Sequence, residues 1–498
     1  MKNLTILLLI LVVSGCGRKK PNDFLRLPMV GIIQNSEVPI LIKTISEGKV
    51  RIEYKKADES SSTFRTNWKI LSDSNAFSTN LILNKLNYDT EYKYRVEFDD
   101  GGYSKWFSFK TFPTQGAPGK LSIVFSSCMR EKYMSPEVYN NILKVSPTFV
   151  ALLGDQMYGD YDGDLNKLEL YLNNDSIRKT MVEKGEIILN DKTVLEAFRS
   201  KYRRAFIKDF QKIGSNIPII ATWDDHDYGQ DNSDGTYHYK YISKKVFNET
   251  YPAYPFAVKN GGLYYKFTIA DVDVFVLDDR WYRSPMQNAD SEDKTMHGEE
   301  QLSWLLTGLK QSTAPFKIIF SGVSMNDYGG DTSSDRGGED NWVGYKFERN
   351  KILSFIQKNY IKGVMVFSGD QHYPSAHILN WKTPLNTVSH TDTSIVYSLT
   401  DLGTAVFDFC ASPLNYKRAT GFPLLPENQK NPLFSYEIFR ANWANPGKTE
   451  QHKDTVTSIY DVAEIDTKSS PANVVVKFFE LNKKTSKFIE LYSVKVTY

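Results

Sequence analysis

Five short segments set metal-binding types of side chain directly behind apolar runs. LSIVFS leads into Ser127 and Cys128, TFVALL into GDQMYGD with Asp155 and Tyr158, and IPIIAT into WDDHD with Asp224, Asp225, His226 and Asp227. VDVFVL leads into DDRWYR, carrying Asp278, Asp279, Arg280 and Arg283, and GVMVFS into GDQHY, carrying Asp370 and His372. Any one of these has an ordinary explanation, since Gly-Asp closes turns and a lone histidine usually satisfies a hydrogen bond at the surface. Their conjunction does not. Carboxylates that converge on one edge of a buried sheet repel strongly at a low effective dielectric unless cations neutralise them.

Donor type divides the set in two. Cys128, Asp155, Tyr158 and His372 supply thiolate, carboxylate, phenolate and imidazole. Three of these are anionic, which suits a trivalent ion such as ferric iron, and zinc would rarely use the phenolate. Asp225 and Asp370, with Asp155 shared, supply oxygen alone, the preference of calcium, magnesium or manganese. A mixed dinuclear centre is the inference. Water held between two cations has its pKa lowered toward neutrality and, as a bridging hydroxide, can attack phosphorus in line. Arg280 or Arg283 would place a planar donor fork on a non-bridging phosphoryl oxygen, or else make an ordinary ion pair.

Rigid elements must hold these groups. The apolar runs that precede them, with KIIFSG, read as strands covered on both faces. Between them EAFRSKYRRAFIKDFQKI, EEQLSWLLTGLK and ERNKILSFIQKNY repeat apolar residues at helical spacing. This predicts a layered α/β domain over residues 120–498, with its ligands at strand ends. Strand-like text returns in the last hundred residues (TSIVYSLT, AVFDFC, NVVVKFFEL, FIELYSVKVTY) and could complete its sheets. Residues 28–113 read instead as an all-β sandwich of short strands, and LNKLNYDTEYKYRVEF resembles a fibronectin type III tyrosine corner, with Leu86 before the turn and Tyr92 after it. FPTQGAPGK is the linker between the two.

From about residue 121 to 375 the segments FSSCMR, ALLGDQMYGD, ATWDDHDYG, VFVLDDRWYR, HGEEQLSWLLTGLKQSTAPFKIIFSG, DNWVGYKFERNKILSFI and FSGDQHY, in this order and spacing, resemble the PhoD-like alkaline phosphatase family of the calcineurin-like metallophosphoesterases. The resemblance implies a four-layer αββα catalytic sandwich preceded by a fibronectin- or immunoglobulin-like domain. It implies iron on Cys128, Asp155, Tyr158 and His372, and calcium on Asp225 and Asp370 with Asp155 touching both metals. His226 would face the leaving group as an orienting group or proton donor, with Asp224 and Asp227 fixing the turn and orienting that histidine. The implied activity is that of a phosphatase or phosphodiesterase, acting on a small phosphoester or a phosphorylated polymer; no specific protein partner is implied. Two stretches depart from the family text. QDNSDG stands where relatives usually carry an Asn-Asp pair, which puts Asp231 and Asn232 in question as further ligands, and SGVSMNDYGG leaves Asn326 and Asp327 as weak candidates for shaping the pocket. His377 reads as structural or pocket-lining.

The N-terminus MKNLTILLLILVVSGC has a basic start and an apolar stretch too short to span a bilayer. Val13, Ser14, Gly15 and Cys16 resemble a bacterial lipobox, which implies removal of residues 1–15, acylation of Cys16, a tether over 16–27 and an exported, membrane-anchored cell-envelope lipoprotein. Cys128 and Cys410 then remain, both at strand ends, and either a disulfide or two inert thiols would be ordinary. The 498 residues, 41% of them hydrophobic, exceed one domain. With 61 basic and 59 acidic residues, overall charge argues for neither a nucleic-acid groove nor a polybasic membrane face. Two other functions fit the residues: hydrolysis of a related ester such as a sulfate ester, or a binding lipoprotein whose metal site has decayed, which the intact ligand set opposes.

Overall fold

Residues 24–110 carry the alternation of half-buried strands and pair into two antiparallel sheets. One holds β1 (Phe24–Val30), β2 (Val38–Thr44) and β6 (Ser78–Leu83); the other holds β3 (Gly48–Lys56), β4 (Phe64–Arg65), β5 (Lys69–Leu71), β7 (Glu91–Phe98) and β8 (Phe107–Lys110). Ile40, Ile42, Leu81 and Leu83 of the first and Val50, Ile52, Tyr94 and Val96 of the second are all buried. The Asn87 amide donates to the Tyr92 hydroxyl at 2.9 Å, beside the buried Leu86, as the tyrosine-corner reading expects. Strand β1 begins at Phe24, inside the stretch read as a tether, because its alternate residues Arg26, Pro28 and Val30 are buried.

The structure is a computed structural model and describes residues 24–58, 61–130, 133–158, 191–206, 208–326, 340–380, 393–417, 436–441 and 456–498. The lipobox with Cys16 lies outside the described residues, as does Asp327.

Past the linker the strands are apolar on both faces and form two seven-stranded sheets. In the first, β9 (Lys120–Ser126), β10 (Phe149–Leu153) and β11 (Ile219–Thr222) run parallel. In the second, β12 (Tyr265–Ile269) is an antiparallel edge beside β13 (Val272–Val276), and β13, β14 (Phe316–Val323) and β15 (Val364–Gly369) run parallel. The strand-like C-terminal text completes both sheets. β16 (Ser375–Leu379), β18 (Val406–Cys410) and β20 (Tyr436–Arg440) extend the second beyond β15. β17 (Ser394–Ser398) and the meander β22 (Ile459–Asp466), β23 (Asn473–Asn482) and β24 (Lys487–Thr497) extend the first beyond β9, while β19 (Tyr416–Lys417) and β21 (Val456–Thr457) form a small ribbon.

Aromatic side chains fill the space between the sheets. Phe125 stacks on Phe367 with centroids 4.5 Å apart, and Phe149 meets Phe320 edge-on at 6.2 Å. Such pairs contribute about 0.5–1.5 kcal/mol each beyond their buried area.

Helices cover the outer faces. α1 (Pro136–Val145), α2 (Asp191–Ala205), α3 (Lys208–Gly214) and α5 (Lys240–Thr250) lie on the side of the first sheet, with the one-turn α4 (Asp225–Tyr228) directly after β11. α6 (Gly298–Gln311) and α7 (Lys346–Lys358) bury Leu302, Leu305, Leu309, Ile352, Leu353 and Ile356 over Phe275, Ile319 and Val366 of the second. Gly308 lets α6 close on the sheet, since a Cβ there would come within 2.6 Å of the Phe275 ring. The single helical pattern read across 196–213 is divided between α2 and α3, although its stripe of Tyr202, Phe206 and Phe210 stays in continuous ring contact. The N-terminal sheets dock on the same helices: the Tyr94 hydroxyl donates to Ser215 O at 2.8 Å, the Leu27 amide to Gln211 Oε1 at 3.0 Å, and Arg26 to Thr250 O.

Because β9, β10 and β11 are parallel, their C-terminal ends share one edge, and the ends of β13, β14 and β15 share the corresponding edge of the facing sheet. These two edges meet. A Cβ on Gly369 at the end of β15 would lie 2.5 Å from Ser127 at the end of β9.

Candidate metal centre

Four of the residues singled out by donor type leave their strands in the left-handed region: φ is 57° at Cys128, 56° at Asp155, 69° at Asp370 and 57° at His372. For residues with a Cβ this costs on the order of 1 kcal/mol or more each, and it persists only where the surroundings over-determine it. Backbone hydrogen bonds supply that determination. The Cys128 amide donates to Gly154 O at 3.2 Å and the Met129 amide to Asp155 O at 2.7 Å, tying the first two exits together. The Asp370 amide donates to Ser127 Oγ at 3.2 Å and the His372 amide to Ser412 Oγ at 3.1 Å. Gly154, at φ 93°, admits the third exit, because a Cβ there would sit 2.4 Å from that of Asp224.

The side chains so aimed converge on Asp155. Its Oδ2 lies 3.6 Å from Cys128 Sγ and accepts from the Tyr158 hydroxyl at 2.9 Å; that hydroxyl is 3.0 Å from His372 Nε2. Among the described residues three groups could each hold a cation, with ligand atoms all within 4.8 Å of one another: Cys128, Asp155 and His372; Asp155, Asp225 and His226; and Asp155, Asp224 and Asp370. Asp155 belongs to every one. All six residues named for metal binding therefore come together at one place.

The electrostatics are those of a site short of positive charge. Burial, with Asp225 and Cys128 nearby, pushes the Asp155 carboxyl well above its usual range against the pull of His226. Burial also takes Asp370 up to about 7, helped by Asp340 and Asp225, and Cys128 up to about 12, helped by Asp370. It takes His372 down to about 3, with His226 adding to the effect, so the imidazole is held neutral as a ligand must be. Asp225 behaves oppositely: burial raises its carboxyl, but His226, Arg280 and the amides of Asn232 and His226 together hold it below the usual range. Two buried oxygens, Asp155 Oδ1 and Asp224 Oδ2, accept no hydrogen bond from the described residues. A buried acceptor left without a donor is costly, and a cation satisfies it. The donor set and these oxygens fit a pair of metal ions.

The surrounding residues divide between holding the loops and facing the centre. Asp227 accepts from the Gln156 amide at 3.1 Å, the Asp224 amide at 3.3 Å and the Tyr202 hydroxyl at 3.2 Å, so it fixes the turn, as read, and its carboxylate is spent there. These contacts do not reach the imidazole of His226. The ring of His226 lies against Tyr158 with centroids 4.3 Å apart, and its Nε2 is 3.9 Å from Asp231 Oδ1. In QDNSDG it is a backbone group that meets the site, the Asn232 amide donating to Asp225 Oδ2 at 2.6 Å. Asn326 donates to Asp408 and accepts from Gln371 at 3.0 Å, a neighbour of both ligands in GDQHY. His377 is fully buried in β16. Cys128 and Cys410 are both free thiols, so no disulfide competes for Cys128.

Arg280 and Arg283 are buried within the loop after β13. Arg280 donates from Nε to Asp224 Oδ1 at 2.6 Å and from Nη1 and Nη2 to Asp340 at 2.9 and 2.8 Å. Its fork is thus engaged by protein carboxylates, one of them in the candidate centre. Arg283 donates from Nε to the Tyr345 hydroxyl at 3.0 Å. Sequence reading missed two participants. Asp224 was assigned to the turn but joins Asp155 and Asp370, and Asp340 sits in the DNWVGYKFERN text with no strand exit or ligand spacing to mark it.

A family model for PhoD-like phosphatases matches residues 123–436. Alkaline phosphatase D of Bacillus subtilis (strain 168) is 24% identical over 328 residues, 60% of this chain; the match spans about half, 52%, of that protein's length. A solved structure described as that of PhoD superposes with a TM-score of 0.67 at 17% identity, covering 95% of this chain and 92% of that one. The purple acid phosphatase PPD1 from yellow lupin seeds (Lupinus luteus) superposes with a TM-score of 0.58 at 11% identity, covering 94% and 74%.

Proposed function

Because the chain belongs to the PhoD-like phosphatase family, we propose that it is a metal-dependent phosphoesterase that hydrolyses phosphate monoesters, diesters or both, on a small molecule or a phosphorylated polymer. The observation that carries this reading is the convergence of three potential ligand groups on Asp155, one of whose buried oxygens has no donor. Cys128, Asp155, Tyr158 and His372 would hold the first metal, iron(III) by their donor chemistry. Asp225 and Asp370, with Asp155 shared and Asp224 adjacent, would hold the second: calcium, or magnesium or manganese in its place. When bound, two such cations supply Lewis acidity at the phosphoryl oxygens and acidify water.

The chain's own groups do the remaining work. The strained exits hold the ligands in place before substrate arrives, so no reorganisation is needed at the moment of reaction. His226, lying against Tyr158 and close to Asp155 and Asp225, is placed to protonate the departing ester oxygen. Arg280 steadies Asp224 and, through it, the edge of the centre. A phosphoester is favoured over a sulfate ester by the family match.

The fold in finer terms is a four-layer αββα sandwich behind a fibronectin- or immunoglobulin-like domain, a reading supported by the helices on the outer sheet faces and the Tyr92 corner. Export as a lipoprotein anchored through Cys16 is proposed from the residues around that cysteine alone. Loss of fatty-acid labelling on Cys16→Ala tests it.

The direct test of function is elemental analysis of purified protein beside assays on a phosphate monoester, a phosphate diester and a sulfate ester. Iron with a second, oxygen-preferring metal and turnover of at least one phosphate ester is expected. Full activity in metal-free protein would refute the proposal.

A further inference from the structure

Next to the candidate centre two buried arginines share one carboxylate. Asp340 Oδ1 accepts from Arg280 Nη1 at 2.9 Å and lies 3.2 Å from Arg283 Nη2, while Asp340 Oδ2 accepts from Arg280 Nη2 at 2.8 Å. The same Arg280 Nη2 stands 4.0 Å from Asp225 Oδ1. One guanidinium therefore separates Asp340 from a proposed metal ligand. The pair is not saturated: Arg283 is buried, yet among the described residues its Nη1 and Nη2 make no hydrogen bond, Nη2 meeting Asp340 Oδ1 only as an ion pair at 3.2 Å. A buried guanidinium with donors to spare beside the candidate centre is a place for an anion. Asp340 is also the open member of the cluster, its side chain 16% exposed where those of both arginines are 0%.

We propose that Asp340 determines which charge state of phosphoester the site accepts, by standing on the Arg280–Arg283 pair where the second negative charge of a dianionic monoester would otherwise be met. The charge count leads to this. Arg280 is matched by Asp224 and Asp340 together, and Asp340 takes up part of the field of Arg283 as well, so little cationic capacity remains for another full anion. A phosphodiester, singly charged, needs only the donors Arg283 leaves unused. A monoester brings an extra charge against the carboxylate of Asp340, and like charges a few ångströms apart at an effective dielectric of about 20 disfavour binding by about tenfold or more. This inference rests on the phosphoesterase reading and adds the residue that would set selectivity.

The test is the ratio of kcat/KM for para-nitrophenyl phosphate to that for bis(para-nitrophenyl) phosphate, measured on the metal-loaded protein at alkaline pH, where the monoester is a dianion. Asp340→Asn is expected to raise the monoester-to-diester ratio by about tenfold, and Asp340→Glu, which keeps the charge, to leave it near the parent value. An unchanged or lowered ratio in a folded Asp340→Asn protein overturns the role of Asp340 while leaving the phosphoesterase reading intact. If the parent protein turns over neither substrate, that reading fails, and this one with it. Should Asp340→Asn not fold, inhibition of the parent decides: phenylphosphonate, a dianion, is expected to bind at least about tenfold more weakly than its singly charged methyl ester. Equal or reversed affinities overturn the proposal.

Discussion

Two aspartate pairs leave strands of the two facing sheets in nearly the same text, WDDH after β11 and LDDR after β13, and the fold treats them oppositely. Asp278 accepts from the Leu263, Arg280 and Trp281 amides and from Trp223 Nε1, all within 3.0 Å. Asp279 accepts from the Gly322 amide at 2.7 Å and Ser321 Oγ at 2.8 Å, and pairs with His297 Nε2 at 2.9 Å. Burial opposes its charge, but His297 and Ser321 hold its carboxyl below the usual range. Asp224 and Asp155 each keep a buried oxygen to which no described residue donates, and burial together with Asp225 pushes both carboxyls well above the usual range. A buried acid with its hydrogen bonds complete braces the loop. One with an oxygen left over, set among other ligand groups, is placed for a cation.

That contrast breaks most sharply at Asp155. Asp155→Asn is expected to lower phosphoesterase kcat by roughly 10³-fold, while the metal-free variant is at least as resistant to urea as the metal-free parent, since a repelled buried charge has been removed. Retained activity, or a clear loss of metal-free stability, would place Asp155 with the bracing acids instead. Asp279→Asn should do the reverse. It removes one of the two carboxylates that flank the buried His297, and destabilisation of about 3 kcal/mol in urea melts is expected. A variant as stable as the parent would end the distinction from the other side.

His297 gives the contrast a pH dependence. It lies between Asp279 and Glu348 Oε1, the latter 3.2 Å from Nδ1; burial lowers its pKa but the two carboxylates raise it further, to about 9 from 6.5. The folded state thus holds this proton more tightly than the unfolded one. Its contribution, about 3 kcal/mol, is complete below pH 6.5 and is lost as pH rises through about 9. Tm measured across that interval should fall in the parent and stay flatter in His297→Gln; parallel curves would contradict the assignment. The smallest effect is expected for Tyr158→Phe, about tenfold in kcat, with loss of any visible absorption the iron-loaded parent shows. A band that survives the substitution would remove Tyr158 from the metal.

Residue type and position along the chain carried a large part of this description. Strands covered on both faces are written as continuous apolar runs, and the groups behind them are conspicuous because aspartate, cysteine and histidine are out of place at the mouth of a core. So the α/β layering, the all-β N-terminal region and the six candidate ligands that the fold brings together were all legible. The C-terminal strands were legible as strands, but their division between two sheets was not, because neighbours such as β9 and β22 are far apart in the chain and pair only through the closed fold. The start of β1 was missed by a few residues, since FLRLP carries a proline and an arginine that read as tether.

What the sequence determined by itself is which donor atoms the site can offer, because coordination chemistry depends on the identity of a side chain. What only the tertiary structure decided is which of those atoms remain to be used. Asp278 and Asp224 are the same residue in the same kind of turn, and they part company through amides and side chains that the chain brings from elsewhere. Asp340 reaches Arg280 across 60 residues, and Ser127 meets the amide of Asp370 across 243. Hydrogen-bond satisfaction is a property of the packed neighbourhood and has no local signature in sequence. Here it separates Asp278 and Asp279, which brace a loop, from Asp155 and Asp224, which keep an oxygen for a cation.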